Sequence, residues 1–365
     1  MEEKNLQDLY ERALDLYLSG DLMGALALLE EFVSQNPKHP YALFNLGKLH
    51  YELGNKKLAK AYLEEAIKLK PDLYEALRIL GDIYTDEGEI DKAIETYERL
   101  VKIHPSAEVF NNLGYLYQQK GDYERAIEYF DRAIELNPKL AEAYYNKALS
   151  LRRLGKFEEA LRWYDKAIEL NPKDPDAYYN RAIVKKHLGD LEGAKKDFER
   201  AIELNPLFVR AYNNLGNIYY ALGEPEKALQ YYRKALEINP NYLESIMNTA
   251  FVLREMGRCD EAVKWYDRAL SLSPDNPEAL IDKGICLKEL GKFREAEESY
   301  RRAAEVSPQF KPLALYNLAC LYNLEGKKEE AKRLLEESFK LDPELREYAK
   351  TDPEVRDLLE EPQRG

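Results

Sequence analysis

The chain repeats one pattern along almost its whole length. Prolines recur at intervals of 33 to 35 residues, at positions 37, 71, 105, 138, 172, 206, 240, 274, 308 and 343. A glycine lies 17 residues before each proline, an alanine lies 12 residues before it, and a glycine or alanine lies 24 residues before it. Chance does not align four columns ten times. The chain is therefore predicted to be a tandem array, not the two or three globular domains that 365 residues would otherwise suggest.

The columns of one repeat, from 107 to 140, predict a helical hairpin. Apolar residues at helical spacing lead up to Gly121, which suits the left-handed residue that follows the last turn of a helix. A second helix follows, and Pro138 ends it because proline cannot donate to the helix ladder. The small residues Gly114 and Ala126 allow the two helices to approach closely. Such a hairpin cannot bury its faces alone, so it has to stack on its neighbours.

A hairpin of about 34 residues with these columns resembles the tetratricopeptide repeat (TPR). The resemblance implies an all-α, right-handed α-solenoid of ten helix-turn-helix repeats in residues 1–345, with repeats starting near 6, 40, 74, 107, 141, 175, 209, 243, 277 and 312. The remaining residues, 346–365, are predicted to form a C-terminal capping helix and tail. Thr351-Asp352-Pro353-Glu354 suits the start of that helix. The residues expected to cover the last repeat are Tyr348, Val355, Leu358 and Leu359.

The overall charge excludes some classes of partner. With 67 acidic and 54 basic side chains the net charge is −13, whereas a nucleic-acid or anionic-membrane binder needs a basic surface. The longest apolar run, Leu22 to Leu29, is too short to span a bilayer. The first residues lack the pattern of a secretion signal, and three scattered cysteines indicate no disulfide framework. A cytoplasmic protein is expected.

Residues that could bind a metal or catalyse a reaction do not cluster in the sequence. No histidine lies three or four residues from another histidine or a cysteine, so no metal site is predicted. No nucleophile elbow, P-loop or dinucleotide fingerprint is present. His50 is expected to pack in the core, and so is Cys286. We therefore predict a chain that is not an enzyme and has no cofactor.

One polar column of the first helices stands out. Counted from each repeat's start, position 6 is asparagine in seven of ten repeats, although asparagine costs about 0.5 kcal/mol against alanine inside a helix. These residues are Asn45, Asn112, Asn146, Asn180, Asn214, Asn248 and Asn317. The column resembles the asparagine ladder in the TPR lobe of O-linked N-acetylglucosamine transferases, which implies that the amides hold the backbone of an extended peptide. The alternative is that they bond the neighbouring repeat and only stabilise stacking.

Cations gather at position 12 of the central repeats, where Arg152, Lys186, Arg254 and Lys288 lie. Arg152 and Lys186 lie on the same predicted helix face as Tyr145 and Tyr179, at position 5. This predicts a basic, partly apolar groove in an acidic protein, which suits an extended ligand with acidic side chains. Alternatively, the cations merely neutralise the acidic residues at position 2, through ion pairs that are individually weak.

These patterns predict a protein-interaction scaffold that binds an extended segment of a partner in a concave groove. The alternative is a regulatory or substrate-recruiting subunit of an enzyme whose catalytic chain is separate. The expected partners are other proteins, with neither nucleic acid nor membrane among them. The sequence leaves homo-oligomerisation open.

Overall fold

The computed structural model describes residues 2–359, which form twenty-one α-helices and one short 3-10 helix without a strand. The predicted all-helical class is confirmed. The chain divides into two compact units, one ending at Gly189 and the other beginning at Asp190. Within each unit helices pack mainly on the next helix along the chain, as in a helical solenoid.

The first unit contains eleven helices. They are α1 Glu2–Ser19, α2 Leu22–Gln35, α3 Pro40–Glu52, α4 Lys56–Leu69, α5 Tyr74–Asp86, α6 Ile90–Ile103, α7 Ala107–Gln119, α8 Tyr123–Leu136, α9 Ala141–Arg153, α10 Phe157–Leu170 and α11 Pro175–His187.

The second unit contains the other ten α-helices and the 3-10 helix. They are α12 Leu191–Leu204, α13 Val209–Ala221, α14 Pro225–Ile238, α15 Leu243–Glu255, α16 Cys259–Leu272, α17 Pro277–Glu289, α18 Phe293–Val306, α19 Lys311–Leu324, α20 Lys328–Leu341, α21 Glu344–Ala349 and the 3-10 helix Arg356–Leu358.

The turn glycine ends the first helix of a hairpin, as the α7–α8 turn shows. Gly121 has a φ of 81°, and nine other glycines of the same column also have positive φ. The amide of Asp122 donates to the carbonyl of Tyr117 at 3.0 Å, which closes the last turn of α7. The Asp122 carboxylate then accepts from the amide of Arg125 at 3.2 Å and caps α8. Gly121 and Asp122 thus end α7 and start α8.

The position of the first helix that is always glycine or alanine lets the two helices of a hairpin pack closely. Gly114 in α7 faces Phe130 in α8 so closely that a methyl group on Gly114 would lie 2.6 Å from the ring. Ala126, Phe130 and Ala133 of α8 are fully buried. Gly216 and Gly284 face Tyr232 and Tyr300 in the same way. The predicted close contact between helices is therefore present in the structure.

The C-terminal segment differs from the predicted capping helix. Instead of a helix beginning at Thr351, the chain forms α21, a turn, and the 3-10 helix. Val355 and Leu358 nevertheless reach the core beside α19 and α20, with Leu359 packed against them, whereas Tyr348 is 60% exposed. A turn places Val355 and Leu358 against the last repeat after only six residues of helix. Residues 360–365 of the predicted tail lie outside the described residues.

Candidate functional site

The residues predicted to bind a partner all lie on first helices of hairpins. Those of the first unit are on α3, α7, α9 and α11: Asn45, Asn112, Tyr145, Asn146, Arg152, Tyr179, Asn180 and Lys186. Those of the second unit are on α13, α15 and α19: Asn214, Asn248 and Asn317.

Four of the asparagine amides tie one first helix to the preceding one. In the first unit, Nδ2 of Asn45 donates to the Tyr10 hydroxyl at 2.7 Å, and Nδ2 of Asn180 donates to the Tyr145 hydroxyl at 2.9 Å. Each bond spans 35 residues, so it joins position 6 of one repeat to position 5 of the repeat before. Two further bonds with the same spacing are Asn146 Nδ2 to Asn111 Oδ1 at 3.2 Å and, in the second unit, Asn248 Nδ2 to Asn213 Oδ1 at 3.0 Å.

Two of the remaining amides bond elsewhere. Asn112, with Arg78 at position 5 of the preceding repeat, donates to the Tyr97 hydroxyl at 3.4 Å. Asn317, preceded by Ile281 at that position, donates to the carbonyl of Leu313 in its own helix at 2.9 Å. Asn214 also donates to the carbonyl of Arg210 at 2.8 Å. Neither Asn112 nor Asn317 has a side-chain acceptor at position 5 of the preceding repeat, which is Arg78 in one case and Ile281 in the other.

Position 5 asparagines were not among the predicted site residues, although they take part in these ties. Asn111 and Asn213 are each 3% exposed and accept from the next repeat. Asn213 also accepts from the Ser245 hydroxyl at 2.8 Å. The sequence contains the signal that would have identified them: an amide or hydroxyl acceptor 35 residues before a position 6 asparagine. That signal appears only when columns of adjacent repeats are compared.

The two tyrosines of the predicted groove are part of this packing. Tyr145 accepts the Asn180 amide and meets the ring of Tyr164 edge-on, with ring centroids 5.9 Å apart. Tyr179 is buried, with 7% of its surface exposed. Asn180 itself is 8% exposed, and its Nδ2 donates to the Asp176 carbonyl as well as to Tyr145. Its side-chain oxygen is the atom left to accept a further bond.

The two predicted cations of the first unit make no ion pair with any residue that the structure describes. Lys186 is exposed, and Arg152 is half-buried. Nε of Arg152 is buried and, within residues 2–359, has no hydrogen-bond partner; the same holds for the hydroxyl of Tyr164. Burial raises the pKa of Tyr164, against the opposing charge of Arg152. A buried donor without an acceptor is costly, so the packing around Arg152 is not optimal for stability alone.

The equivalent cations of the second unit are paired, but not with position 2. Arg254 lies 2.5 Å from the carboxylate of Asp282, and Lys288 lies 2.7 Å from that of Glu354. Burial raises the pKa of Asp282, an effect that Arg254 opposes. Asp282 occupies position 6 of its repeat, where most repeats have asparagine. At this position an ion pair with Arg254 is present instead of a hydrogen bond from a side-chain amide. Neutralisation of the position 2 carboxylates is not what these two cations do.

The histidines have packing and capping roles. His50 is 3% exposed and stacks on Tyr62 with ring centroids 5.6 Å apart, as expected. Nδ1 of His39 accepts from the amide of Ala42 at 3.0 Å and caps α3. Cys286 is buried in the core, as predicted. Among the described residues no three metal-ligating side chains come together, and none of the helices is long and apolar enough to cross a membrane.

Sequence comparisons identify one family. Family models described as tetratricopeptide repeat match residues 40–73, 72–139, 111–175, 147–212, 209–242, 242–309 and 313–345. Together they cover most of the chain.

Individual relatives match shorter stretches. The CTR9 homolog of Arabidopsis thaliana is 28% identical over 109 residues, which are 28% of this chain and 10% of that protein. The peroxisomal targeting signal receptor of Pichia angusta is 33% identical over 100 residues, which are 27% of this chain and 18% of the receptor. The chain therefore spans less than a fifth of the length of these curated relatives.

A solved structure is similar over a longer stretch. A tetratricopeptide repeat protein from Parabacteroides merdae is 25% identical, with a TM-score of 0.50, and the match covers 68% of this chain and 99% of that one. Repeats of this kind indicate a protein–protein interaction scaffold. The chain belongs to the tetratricopeptide repeat family.

Proposed function

We propose that this protein is a non-catalytic scaffold that binds an extended segment of a partner protein along α9 and α11, with acidic side chains of that segment next to Arg152 and Lys186. One observation carries the proposal. In a chain of net charge −13, these two cations lie on first helices without an ion pair among the described residues. Their counterparts Arg254 and Lys288 each hold a carboxylate.

The surroundings of the cations suit a peptide. Leu149 and Ile183 on the same helices are half-buried, so they offer apolar surface between the charges. The nitrogen of the Asn180 side chain donates to Tyr145, and we assign its side-chain oxygen as the acceptor for a peptide amide. The Pichia angusta relative is named as a receptor for a targeting signal, and its similarity to this chain supports recognition of a protein segment here.

The test is peptide binding measured by fluorescence anisotropy. Ten-residue acidic, neutral and basic peptides are titrated with the wild type and with the Arg152→Glu/Lys186→Glu variant. Acidic peptides should bind the wild type best, and the variant should bind them at least tenfold more weakly, because repulsion replaces attraction at both cations.

The control is Arg162→Glu/Lys166→Glu, which makes the same change of net charge on α10, the second helix of that hairpin. It should leave the affinity nearly unchanged. Equal losses in both variants would mean that only the total charge matters. No preference for acidic peptides in the wild type would refute the proposed ligand.

A further inference from the structure

The C-terminal segment lies against side chains at two of the positions that define the candidate site. The Tyr316 hydroxyl, at position 5 of its repeat, donates to the Asp352 carboxylate at 2.6 Å. Nζ of Lys288, at position 12, lies 2.7 Å from each carboxylate oxygen of Glu354. The lysine side chain is only 10% exposed, so its charge is held close to protein rather than in bulk water.

The same segment is also held by its backbone. Asn323, at position 12 of the last repeat, donates from Nδ2 to the main-chain carbonyl of Glu354 at 2.7 Å and to the Asp357 carboxylate at 3.0 Å. Asn323 thus grips the backbone by a side-chain amide, which is how an extended peptide can be held independently of its side chains. Its own side-chain oxygen is buried without a hydrogen-bond partner among the described residues.

We propose that residues 352–357 are an intramolecular ligand of an acidic-peptide site formed by Lys288, Tyr316 and Asn323. A partner that displaces the carboxylates of Asp352 and Glu354 presents an acidic segment with two carboxylates two residues apart, as theirs are. The inference rests on the proposed function, because it assigns the same kind of ligand to positions 5 and 12 of other repeats.

A partner that takes over the polar contacts of the segment need not dislodge its buried residues. The polar contacts come from residues 352–354 and 357, whereas Val355 and Leu358 are buried against the last repeat. Beside the segment a cleft of about 670 Å³ continues along Arg254, Ile285 and Leu313. A partner therefore has groove surface available next to the contacts that it takes over.

The covalent attachment of the segment determines how well a free peptide competes with it for the site. A segment joined to its site by a short linker acts at an effective concentration in the millimolar range, so a peptide from solution competes poorly with it. Removing the negative charges of Asp352 and Glu354 from the segment should therefore free the site for a synthetic peptide that keeps both carboxylates.

The probe is a fluorescein-labelled synthetic peptide of residues 350–359, titrated by anisotropy against the full chain. The variant Asp352→Asn/Glu354→Gln should bind it at least tenfold more tightly than the wild type does. Adding Lys288→Ala to that variant should abolish the gain, and a peptide carrying the same two substitutions should not bind. A variant that binds no better than the wild type, or binds regardless of Lys288, would overturn the proposal and leave the segment as a structural cap only.

Amide exchange supplies a second measurement in case the double variant folds poorly. Lys288→Gln in the otherwise unchanged chain should speed exchange in residues 352–357 and leave α16 unaffected. Unchanged exchange in the segment would contradict its being held by Lys288. The same titrations in the Arg152→Glu/Lys186→Glu background should keep the gain from Asp352→Asn/Glu354→Gln and its dependence on Lys288, which separates failure of this site from failure of the site on α9 and α11.

Discussion

At the scale of single residues, two glycine columns meet different physical demands. Gly121 needs a backbone conformation that other residues avoid, and a methyl group there would touch no atom within 4 Å. Gly114 has ordinary helical geometry, but a methyl group there would meet Phe130 and, at 3.1 Å, the carbonyl of Ala126. One glycine is required for its φ and the other for its lack of volume.

Substitution of Gly121 should therefore cost only backbone strain. We expect Gly121→Ala to lower the free energy of unfolding by about 1–2 kcal/mol, the usual penalty for a left-handed residue. Gly121→Asn should cost less, because asparagine tolerates this conformation better. Urea denaturation followed by circular dichroism measures both, and an equal cost for the two would contradict the strain argument.

Substitution of Gly114 should cost packing instead. Gly114→Ala places a methyl group 2.6 Å from a buried ring, and overpacking of this kind typically costs about 1–3 kcal/mol. The matched control is Ala148→Gly, at the same column of α9, where the hairpin already accommodates a methyl group opposite Tyr164. That change should cost about 0.5–1 kcal/mol through helix propensity. A Gly114→Ala protein as stable as the wild type would show that the helices move apart freely.

At the scale of helices, the asparagine column has at least one role that does not need a ligand. Adjacent first helices are joined by an amide at position 6 and an acceptor at position 5, as between Asn146 and Asn111. A buried polar pair of this kind favours one register between stacked repeats, since a shift would leave both groups unpaired. Peptide binding by the same residues stays a prediction.

The two roles of the column can be separated by comparing two asparagines. Asn146→Ala should lower the free energy of unfolding by about 1–3 kcal/mol, because it leaves Asn111 buried without its partner. Asn317→Ala should be neutral or stabilising by about 0.5 kcal/mol, because Asn317 bonds only its own helix in the described residues and alanine favours helix. Chemical denaturation checks the difference, and equal effects would mean that the bond between helices contributes nothing.

At the scale of the whole molecule, an array of repeats has an open last face that must be covered. Here the described part of the C-terminal segment covers it with three buried residues, Ala349, Val355 and Leu358, rather than with a full helix. Of the four residues predicted to cover this face, Leu359 packs against the core, whereas Tyr348 stays mostly exposed beside Tyr316. Stability at this end should therefore depend on particular residues of the segment.

Truncation of Val355 and Tyr348 tests that dependence. Val355→Ala should destabilise the end of the array by about 2 kcal/mol, because it removes fully buried methyl groups. Tyr348→Ala should change stability by no more than about 0.5 kcal/mol, as is usual for an exposed site. Amide exchange in α19 and α20 reports both, and faster exchange in the Tyr348 variant than in the Val355 variant would contradict the assignment.

The sequence by itself determined the repeat, the helices and their ends. This follows because period, turn glycine and stop proline act through local backbone geometry and recur ten times. Helix starts at Pro40, Tyr74 and Ala107 coincide with the period. The buried roles of His50 and Cys286 were also predictable, because each lies in a packing column of the repeat.

Only the tertiary structure decided which side chains bond to which. The position 6 amides find position 5 acceptors one repeat away, so their roles depend on pairs that lie 35 residues apart and not on either column alone. The form of the C-terminal segment was likewise decided by the face that it covers. Its capping residue and proline suit a helix start, but burial of Val355 and the ion pair with Lys288 favour a turn. Local propensity sets where helices begin and end, whereas contacts distant in sequence set what their surfaces bind.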